Sequence, residues 1–450
     1  MPEKVVSCSC GMLRGVTDGV TAVFKGIRYA VAGRWEYPSR VTGWDDIYDA
    51  TSYGDCCYQP RAFYDEAAVS DKAFYYNEFR KDEYYAYSED CLFLNIWAPE
   101  NARNAPVILY IHGGVFTGGC GYEKHFNCPA WPQYGVIGVT INYRLGPWGF
   151  ACLPEIADAD GITGNYGLYD QLAALHWVKD NIAYFGGNPE NITLMGQSAG
   201  AMSVQQLLGS PLAKGLIAQA VMSSGGGAGQ AFDPVPKEKN IRFWKKVQEK
   251  LQDRDIQNCT PEALFRAWQE CAAESPEEGY LATCPIIDGR LVTDTTEHIM
   301  ERNEQLHIPC MVGSTSEDMI PPILFQMNRD WAYTQTRSGC PSYTWLFARQ
   351  LPGDSAGAWH SSDLWYWFGT LDQCWRPMTK RDYDLSNTMV QYLCHFAETG
   401  NPNGTELPVW EPQEAANDYA MCFGDEDCTM GRISMEQLQQ TMQANSGKGE

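Results

Sequence analysis

A serine between two glycines, at a point where a strand gives way to a helix, is the feature that most constrains this chain. Ser198 lies in a Gly-Gln-Ser-Ala-Gly motif at residues 196–200. The apolar run at 191–194 predicts a buried strand before it, and the apolar spacing of 199–208 predicts a helix after it. Side chains flanking a serine in so tight a turn would clash, which explains the two glycines. The free N–H groups at the start of the helix favour negative charge beside the hydroxyl. The pattern therefore predicts a nucleophilic serine.

A His-Gly-Gly motif is the second part of the predicted site. Residues 107–111 predict a central strand, which runs directly into His112 and two glycines. Glycines suit a loop whose backbone N–H groups must face a developing oxyanion without a Cβ in the way. The N–H of Ala199, just after the nucleophile, is predicted to be a further donor. His112 is interpreted as a structural residue of this loop.

A serine hydroxyl needs a histidine base, which is itself oriented by a carboxylate. Among the seven histidines, His360 stands out because it lies late in the chain, in a loop of small residues just past the predicted strand 343–347. In sites of this type the acid comes between the serine and the histidine in chain order. Residues 308–313 predict a strand, and the acidic pair Glu317 and Asp318 follows it. Spacing alone leaves either acid open as the partner of the imidazole.

Several further motifs follow one another in an order that resembles a known family, the type-B carboxylesterases of the α/β-hydrolase fold. That family includes cholinesterase-like and para-nitrobenzyl-esterase-like enzymes, and the resemblance runs from about residue 11 to about residue 402. The additional segments that carry it are 11–15, 24–30, 88–97, 142–146, 164–171, 177–182 and 185–189. Long motifs in the right order are far more specific than any one of them alone.

The resemblance implies roles for individual residues. The family's acid is the second member of an acidic pair, which assigns Asp318, although family members usually carry Glu there. It also implies a structural ion pair between Glu89 and Arg144, neither of them catalytic. The N–H groups that it assigns to the oxyanion hole belong to Gly114, Val115 and Ala199.

Two departures from the family pattern bear on specificity. Gln197 stands where many members have Glu, which removes a charge beside the nucleophile and weakens the case for cationic substrates. The segment between Asp318 and His360 is short, and its middle, at 328–341, shows little regular pattern. In the family a longer segment helps to wall the active-site gorge, so this site is expected to be more open unless other loops fill the gap. The candidate pocket walls are Phe116, Gln197 and Trp359.

The loop from Cys57 to Cys91 is a further candidate for the wall, because it is rich in aromatic residues and lines the gorge in the family. The alternative is that these aromatic side chains only pack the loop onto the body of the protein. Extracellular relatives often bridge this loop with a disulfide, but we expect the two cysteines to be free here.

The alternation of predicted strands and helices indicates an α/β protein with a mostly parallel central sheet and helices on both faces. An Asp-Gly pair at 18–19, between two strand-like runs, predicts an antiparallel N-terminal lead-in. No linker, charge block or repeat divides the 450 residues. We therefore predict one α/β-hydrolase domain over residues 1–450, with a shortened segment between the acid and the histidine.

The net charge and the cysteine pattern bear on the partners, the compartment and the metal binding of the protein. The 33 Lys and Arg against 56 Asp and Glu give a net charge of -23, which disfavours nucleic acids and anionic membranes. The start of the chain lacks the apolar core of a signal peptide, and no apolar run approaches membrane-spanning length. The 17 cysteines are scattered and show no metal-ligand spacing. We therefore predict reduced thiols, a cytoplasmic location and no metal.

The predicted function is that of a serine carboxylesterase acting on small-molecule esters through Ser198, His360 and Asp318, with an acyl-enzyme intermediate and no cofactor. One alternative is the same machinery acting on carbamates, thioesters or amides. Another is a non-catalytic, cholinesterase-like interaction protein, although such relatives typically lose the serine or the histidine, which this chain keeps. The sequence indicates neither the acyl and alcohol groups nor an oligomeric state.

Overall fold

A 13-stranded sheet forms the centre of the computed structural model, which describes residues 1–69, 72–426 and 428–446. Two short strand pairs, β4 with β5 and β7 with β8, accompany it within those ranges. The strands are β1 (Glu3–Cys8), β2 (Gly11–Thr17), β3 (Thr21–Arg28), β4 (Ala30–Val31), β5 (Ser39–Arg40), β6 (Tyr48–Asp49), β7 (Cys56–Cys57), β8 (Tyr87–Ser88), β9 (Phe93–Pro99), β10 (Ala105–Ile111), β11 (Ile137–Ile141), β12 (Gly187–Gln197), β13 (Gln219–Ser223), β14 (Cys310–Thr315), β15 (Tyr343–Phe347), β16 (Tyr419–Phe423) and β17 (Thr429–Arg432).

The α-helices alternate with the later strands along the chain. They are α1 (Ala73–Phe79), α2 (Gly146–Phe150), α3 (Tyr166–Asn181), α4 (Ala199–Leu208), α5 (Lys237–Lys250), α6 (Pro261–Glu274), α7 (Pro276–Leu281), α8 (Thr296–Glu301), α9 (Pro321–Arg337), α10 (Leu364–Phe368), α11 (Lys380–Thr399) and α12 (Met435–Ser446). Across the described ranges, none of the helices combines the length and the apolar character that a membrane crossing requires.

The middle of the sheet is parallel. Seven neighbouring strands, in the order β11, β10, β12, β13, β14, β15 and β16, all run in one direction. The strands β1, β2, β3 and β9 precede them in antiparallel pairing, and β17 closes the other edge antiparallel to β16. The predicted α/β fold, with its mostly parallel sheet and antiparallel lead-in, is confirmed.

Both faces of the sheet are covered by apolar side chains, as the alternation along β10 shows. Leu109 and its alternate neighbours pack in one core with residues of α3 and α4, whereas Ile108 and Tyr110 pack in a second core with residues of α10 and α11. Successive side chains of a strand point to opposite faces, so a strand buried on both sides reads as a continuous apolar run. The helices therefore lie on both faces of the sheet.

The sheet places the predicted site residues along one side, at the carboxyl ends of its central strands. Ser198 follows the last residue of β12, Asp318 follows the end of β14 by three residues, and His360 lies in the loop after β15. These three strands are parallel, so their carboxyl ends meet at the same edge, where open α/β sheets bind their ligands.

The expectation of little regular structure at 328–341 is wrong, because α9 extends over Pro321–Arg337. Its buried stripe includes Leu324, Asn328, Trp331 and Gln335, each within 1% of complete burial. Two of these four residues are polar, so the helical period is hidden when apolar residues alone are counted.

The expectation of free thiols at Cys57 and Cys91 is also wrong, because the two form a disulfide. The parallel pairing of β7 with β8 places Cys57 opposite Ser88, and Cys91 then lies with its Cα 4.9 Å from that of Cys57. Within the described ranges, no other cysteine forms a disulfide. The cytoplasmic location rested partly on unpaired thiols, and it stays a prediction.

Candidate active site

Ser198 occupies a strained turn between β12 and α4. Its φ of 54° and ψ of -125° are rare for a non-glycine residue, and its side chain is 8% exposed. A Cβ on Gly196 would collide with the carbonyl of Gly200, and one on Gly200 would collide with the carbonyl of Ile111. The backbone N–H of Ser198 donates to the carbonyl of Ser223 at 2.8 Å, which ties the turn to the neighbouring strand. The absence of a side chain at both positions allows the turn to pack this closely.

His360 and Asp318 are joined by a short hydrogen bond. The Nδ1 atom of the imidazole lies 2.6 Å from Oδ1 of Asp318, and both side chains are largely buried. Asp318 also accepts from the N–H of Met319 at 2.9 Å and from the hydroxyl of Thr315 at 3.1 Å. Together these donors fix the orientation of the carboxylate and, through it, of the imidazole ring.

The neighbouring acid, Glu317, points elsewhere. Its Oε2 accepts from the backbone N–H of Ala358 at 2.8 Å and from the hydroxyl of Ser316 at 2.5 Å. It therefore fastens the start of the histidine loop to the end of β14. The structure thus brings Asp318, and not Glu317, to the imidazole.

The contact between His360 and Asp318 raises the pKa of the imidazole and lowers that of the carboxyl group, which favours the charged form of both. Burial opposes the charged form of His360, but the attraction of Asp318 and its hydrogen bond outweigh that effect, so the pKa of His360 lies above 6.5. Burial likewise opposes ionisation of Asp318, yet the attraction of His360 outweighs it and the pKa of Asp318 lies below 3.8. The site thus favours a carboxylate beside an imidazole that protonates readily.

On the other side of the ring, His360 meets Gln197. In the part of the chain that the structure describes, the polar partner of Nε2 is the Gln197 amide nitrogen at 3.2 Å, and not Ser198 Oγ. The same amide nitrogen lies 2.9 Å from the hydroxyl oxygen of Ser361. Gln197 therefore links the end of β12 to the histidine loop.

The glycine loop after β10 lies against the nucleophile. A Cβ on Gly113 would come within 2.9 Å of the Cβ of Ser198, and one on Gly114 would collide with the carbonyl of Gly118. Gly114 and Val115 both have positive φ angles, of 114° and 57°. The loop is thus held in a conformation that brings its backbone close to Ser198.

His112 supports this loop from behind. Its Nδ1 lies 2.8 Å from the carbonyl oxygen of Gly113, and its ring stacks on Tyr143 with 4.5 Å between the ring centres. Burial lowers the pKa of His112 to about 4, so its imidazole is neutral at ordinary pH. The interpretation of His112 as a structural residue agrees with this environment.

Asp363 is a second buried carboxylate near His360, and no sequence motif predicts it. It accepts from the hydroxyl of Ser223 at 2.7 Å and from the indole N–H of Trp367 at 3.1 Å. Burial raises its pKa to about 6. Its position three residues after His360 was the one available signal, and that spacing is too common to be diagnostic.

The candidate wall residues lie in different surroundings. Phe116 is buried in the core, edge-on to Phe150, while Trp359 packs beside His360 against aromatic residues of α1. The ring centres of Phe74, Tyr75 and Phe79 lie 5.1, 5.8 and 5.6 Å from that of Trp359. Part of the loop from Cys57 to Cys91 thus reaches the histidine loop.

A buried ion pair holds α1 in this position. Arg376 and Glu78 are almost completely buried, with Nε of Arg376 3.0 Å from Oε1 of Glu78, and Arg376 also meets Asp354 at 2.7 Å. The hydroxyl of Tyr75 donates to the backbone carbonyl of His360 at 3.5 Å. Helix α1 is therefore tied both to the body of the protein and to the loop that carries the imidazole.

The ion pair expected between Glu89 and Arg144 is not formed. Arg144 instead binds Asp170 of α3, with Nη2 2.7 Å from Oδ1 and Nε 2.8 Å from Oδ2, and both side chains are buried. Glu89 binds Arg34. The bidentate geometry and the deep burial of Asp170 explain why Arg144 pairs there.

Comparisons with known proteins show which family the chain resembles. The model of the carboxylesterase family matches residues 2–338 and 319–446. The para-nitrobenzyl esterase of Bacillus subtilis (strain 168) is 34% identical over 470 residues, which cover 91% of this chain and 92% of that protein. The bile salt-activated lipase of Mus musculus is 29% identical, over 88% of this chain and 78% of the lipase.

Solved structures match over nearly the whole chain. A thermophilic PNB esterase superposes with a TM-score of 0.83 at 26% identity, covering 98% of this chain and 100% of the esterase. The carboxylesterase Est55 of Geobacillus stearothermophilus superposes with a TM-score of 0.79 at 27% identity, covering 97% and 99%. The family match over nearly the whole chain and the esterase relatives show that the chain belongs to the carboxylesterase family and is a carboxylic ester hydrolase.

Proposed function

We propose that Ser198 is the nucleophile of this ester hydrolase, that His360 is its general base and that Asp318 orients the base. The observation that carries the proposal is the 2.6 Å contact between His360 Nδ1 and Asp318 at the same sheet edge as the strained Ser198. A hydrogen at Nδ1 leaves the lone pair on Nε2, where a base must accept a proton. Hydrogen bonds of a catalytic serine are often long without substrate and tighten when it binds.

The reaction follows from these roles. Ser198 Oγ attacks the ester carbonyl and forms a bond to its carbon while His360 Nε2 takes the hydroxyl proton. The tetrahedral intermediate then collapses, the carbon–alkoxide bond breaks, and the proton on Nε2 passes to the departing alcohol. Water attacks the acyl-enzyme by the same steps and releases the carboxylic acid, which restores the free serine.

The negative charge of the intermediate needs donors that are already in place. We assign them to the backbone N–H groups of Gly114, Val115 and Ala199. The close packing of the glycine loop on Ser198 supports this assignment, as does the position of Ala199 at the first turn of α4. Removal of one such donor typically costs about 10²- to 10³-fold in rate.

We propose esters of aromatic alcohols as the substrate class. The leaving alcohol is protonated by His360, and the loop that carries His360 also carries Trp359, whose ring meets that of Phe74, a residue 36% exposed. The name of the para-nitrobenzyl esterase relative points to the same class of alcohol. A panel that pairs para-nitrobenzyl acetate with cyclohexylmethyl acetate tests this proposal. The panel also includes a thioester and an anilide of acetic acid, together with a carbamate. Preference for the aromatic ester that disappears in Phe74→Ala supports the proposal, and equal use of both acetates contradicts it.

The nucleophile is tested by Ser198→Ala. We expect a folded protein whose ester hydrolysis falls by several orders of magnitude, since removing a triad serine abolishes the covalent route. A fluorophosphonate probe, mapped by peptide mass spectrometry, should label Ser198.

Ser224→Ala is the matched control, because Ser224 also follows a parallel strand and also has a positive φ, of 51°. It should still be labelled at Ser198. Label at Ser224, or full activity in Ser198→Ala, overturns the assignment.

A further inference from the structure

The side chain of Gln197 makes two contacts that the reaction scheme does not use. The residue is 3% exposed and ends β12, directly before the nucleophile. Its amide nitrogen lies 3.2 Å from His360 Nε2 and 2.9 Å from Ser361 Oγ. An amide nitrogen has two hydrogens to donate and accepts none, so these two contacts use its full capacity.

The direction of the hydrogen bond to His360 follows from the other side of the ring. Nδ1 faces the Asp318 carboxylate at 2.6 Å, so it carries the hydrogen of the neutral imidazole, and Nε2 is left as an acceptor. The amide nitrogen of Gln197 therefore donates to Nε2. A flipped amide would place its oxygen against the Nε2 lone pair, with two acceptors facing each other.

The second contact holds an unusual backbone. Ser361, the residue after the histidine, has a φ of 79°, in the left-handed region that favours glycine. Such a conformation persists in a non-glycine residue only when its surroundings fix it. The hydrogen bond from Gln197 to Ser361 Oγ is one of the contacts that does so.

We propose that Gln197 is a positioning residue for His360: its amide holds the neutral imidazole with the hydrogen on Nδ1 and Nε2 as an acceptor, disfavours the imidazolium, and so sets the pH at which the site works. The inference rests on the proposed role of His360 as base. When Nε2 gains a proton, two N–H groups face each other, and the amide must turn away towards Ser361. A donor to the neutral form lowers the pKa of a histidine.

The residue type at position 197 therefore decides whether the pKa of His360 is lowered or raised. A glutamate in the place of Gln197 would put a carboxylate about 3 Å from Nε2, where it would stabilise the imidazolium and raise its pKa by roughly 1 to 3 pH units. The family pattern, in which many members carry Glu here, thus implies a different working pH from that of this chain.

Among the described residues, the other polar groups around His360 contact atoms other than Nε2, and Gln197 contacts Nε2. Asp318 meets Nδ1, the Tyr75 hydroxyl meets the backbone carbonyl, and Asp363 acts on the imidazole by longer-range attraction. Glu317 is engaged by Ala358 and Ser316, and the pair of Arg376 with Glu78 lies beyond Trp359. A change at Gln197 therefore alters the charge at Nε2 and leaves the groups at Nδ1 in place.

The first test compares Gln197→Glu with Gln197→Met, which keeps the shape but donates no hydrogen bond. The pH dependence of kcat/KM with a neutral ester gives the apparent pKa of the base. We expect this pKa to rise by at least one pH unit in Gln197→Glu and by a smaller but resolved amount in Gln197→Met. Profiles that coincide with that of the wild type in both variants overturn the inference.

A second readout does not depend on turnover. The ¹⁵N chemical shifts of the His360 ring, assigned by their loss in His360→Gln, report its tautomer and its titration directly. The expected order of the pKa values is the same as in the kinetic experiment, with the hydrogen on Nδ1 in the neutral ring. If Ser198→Ala stays active, the proposed function fails; if the ring titrates alike in wild type and Gln197→Met, this inference fails independently.

A third variant, Ser361→Gly, removes the anchor without adding strain, because glycine adopts a φ of 79° freely. We expect it to fold normally, judged by its thermal unfolding, and to show part of the pKa shift of Gln197→Met. The double variant should show no larger shift than Gln197→Met alone, because both changes release the same amide. Additive shifts mean that the two contacts act separately, which overturns the proposal.

Discussion

At the scale of single residues, the choice between two adjacent acids shows what spacing can and cannot predict. Neighbouring residues leaving a strand point in roughly opposite directions, so only one of Glu317 and Asp318 can face the imidazole. Spacing left both open, and only the family resemblance assigned the second. The structure gives the reason for the division, since Glu317 is used to fasten the histidine loop at Ala358.

The pair of acids offers a matched mutational test. Asp318→Asn should lower kcat by about 10³- to 10⁴-fold, because an amide favours the wrong imidazole tautomer, as measured in a serine-protease triad. Glu317→Gln should cost far less, since it keeps an acceptor for Ala358. Steady-state kinetics of both variants at the pH optimum make the comparison. If Glu317→Gln proves the more damaging change, the assignment of the acid is off by one residue.

The pH profile follows from the direction of the His360 shift. The base acts only when neutral, and its pKa lies above 6.5 because the attraction of Asp318 outweighs burial. We therefore expect kcat/KM to rise with pH through an apparent pKa above about 6.5 and then to level off. Asp318→Asn, which removes the attraction, should move this limb to lower pH, whereas Glu317→Gln should leave it in place. A flat profile between pH 5 and 8 contradicts the role of His360.

At the scale of elements, local patterns predicted the segments next to the chemistry well. The helix after the nucleophile was expected at 199–208 and the strand before His360 at 343–347, and α4 and β15 have those bounds. What local patterns could not show were contacts between distant segments. The partner of Arg144, the disulfide of Cys57 and the approach of α1 to Trp359 depend on tertiary structure. Helix α9 was missed for another reason, the polar residues in its buried stripe.

The disulfide between Cys57 and Cys91 can be tested by counting the thiols that react before and after reduction. Denatured protein, unfolded without reductant, should react with a thiol reagent at fifteen sites, and reduced protein at all 17. The bridge closes the loop that contains α1, so its loss in Cys57→Ser/Cys91→Ser should destabilise the protein by about 2–4 kcal/mol. The fall in thermal stability measures the contribution of the bridge to folding, and the fall in kcat measures the coupling of this loop to His360. Cys128→Ser, at an exposed free thiol, is the control. Seventeen reactive thiols before reduction would show that the bridge is absent.

At the scale of the whole molecule, the net charge of -23 and the chemistry of the site act over different distances. Gln197 places an amide beside the nucleophile, so the side chain that contacts Nε2 offers no carboxylate to a cationic substrate. The summed field of the molecule nevertheless attracts cations over a distance set by the salt concentration. The Debye length falls from about 30 Å at 0.01 M salt to about 8 Å at 0.15 M. Salt can therefore separate the long-range contribution from the local one.

Two esters of the same shape make this separation measurable. Butyrylcholine carries a quaternary ammonium, and 3,3-dimethylbutyl butyrate replaces its nitrogen by carbon, so the pair differs in charge alone. We expect the ratio of their kcat/KM values to fall several-fold between 10 and 150 mM NaCl, because screening removes the attraction of the acidic molecule for the cation. The ratio at high salt then reports the local site, where Gln197 should give the cation no advantage. Gln197→Glu should raise that high-salt ratio and leave its salt dependence nearly unchanged. A ratio that stays constant with salt would mean that the charge of -23 produces no net negative field at the approach to Ser198.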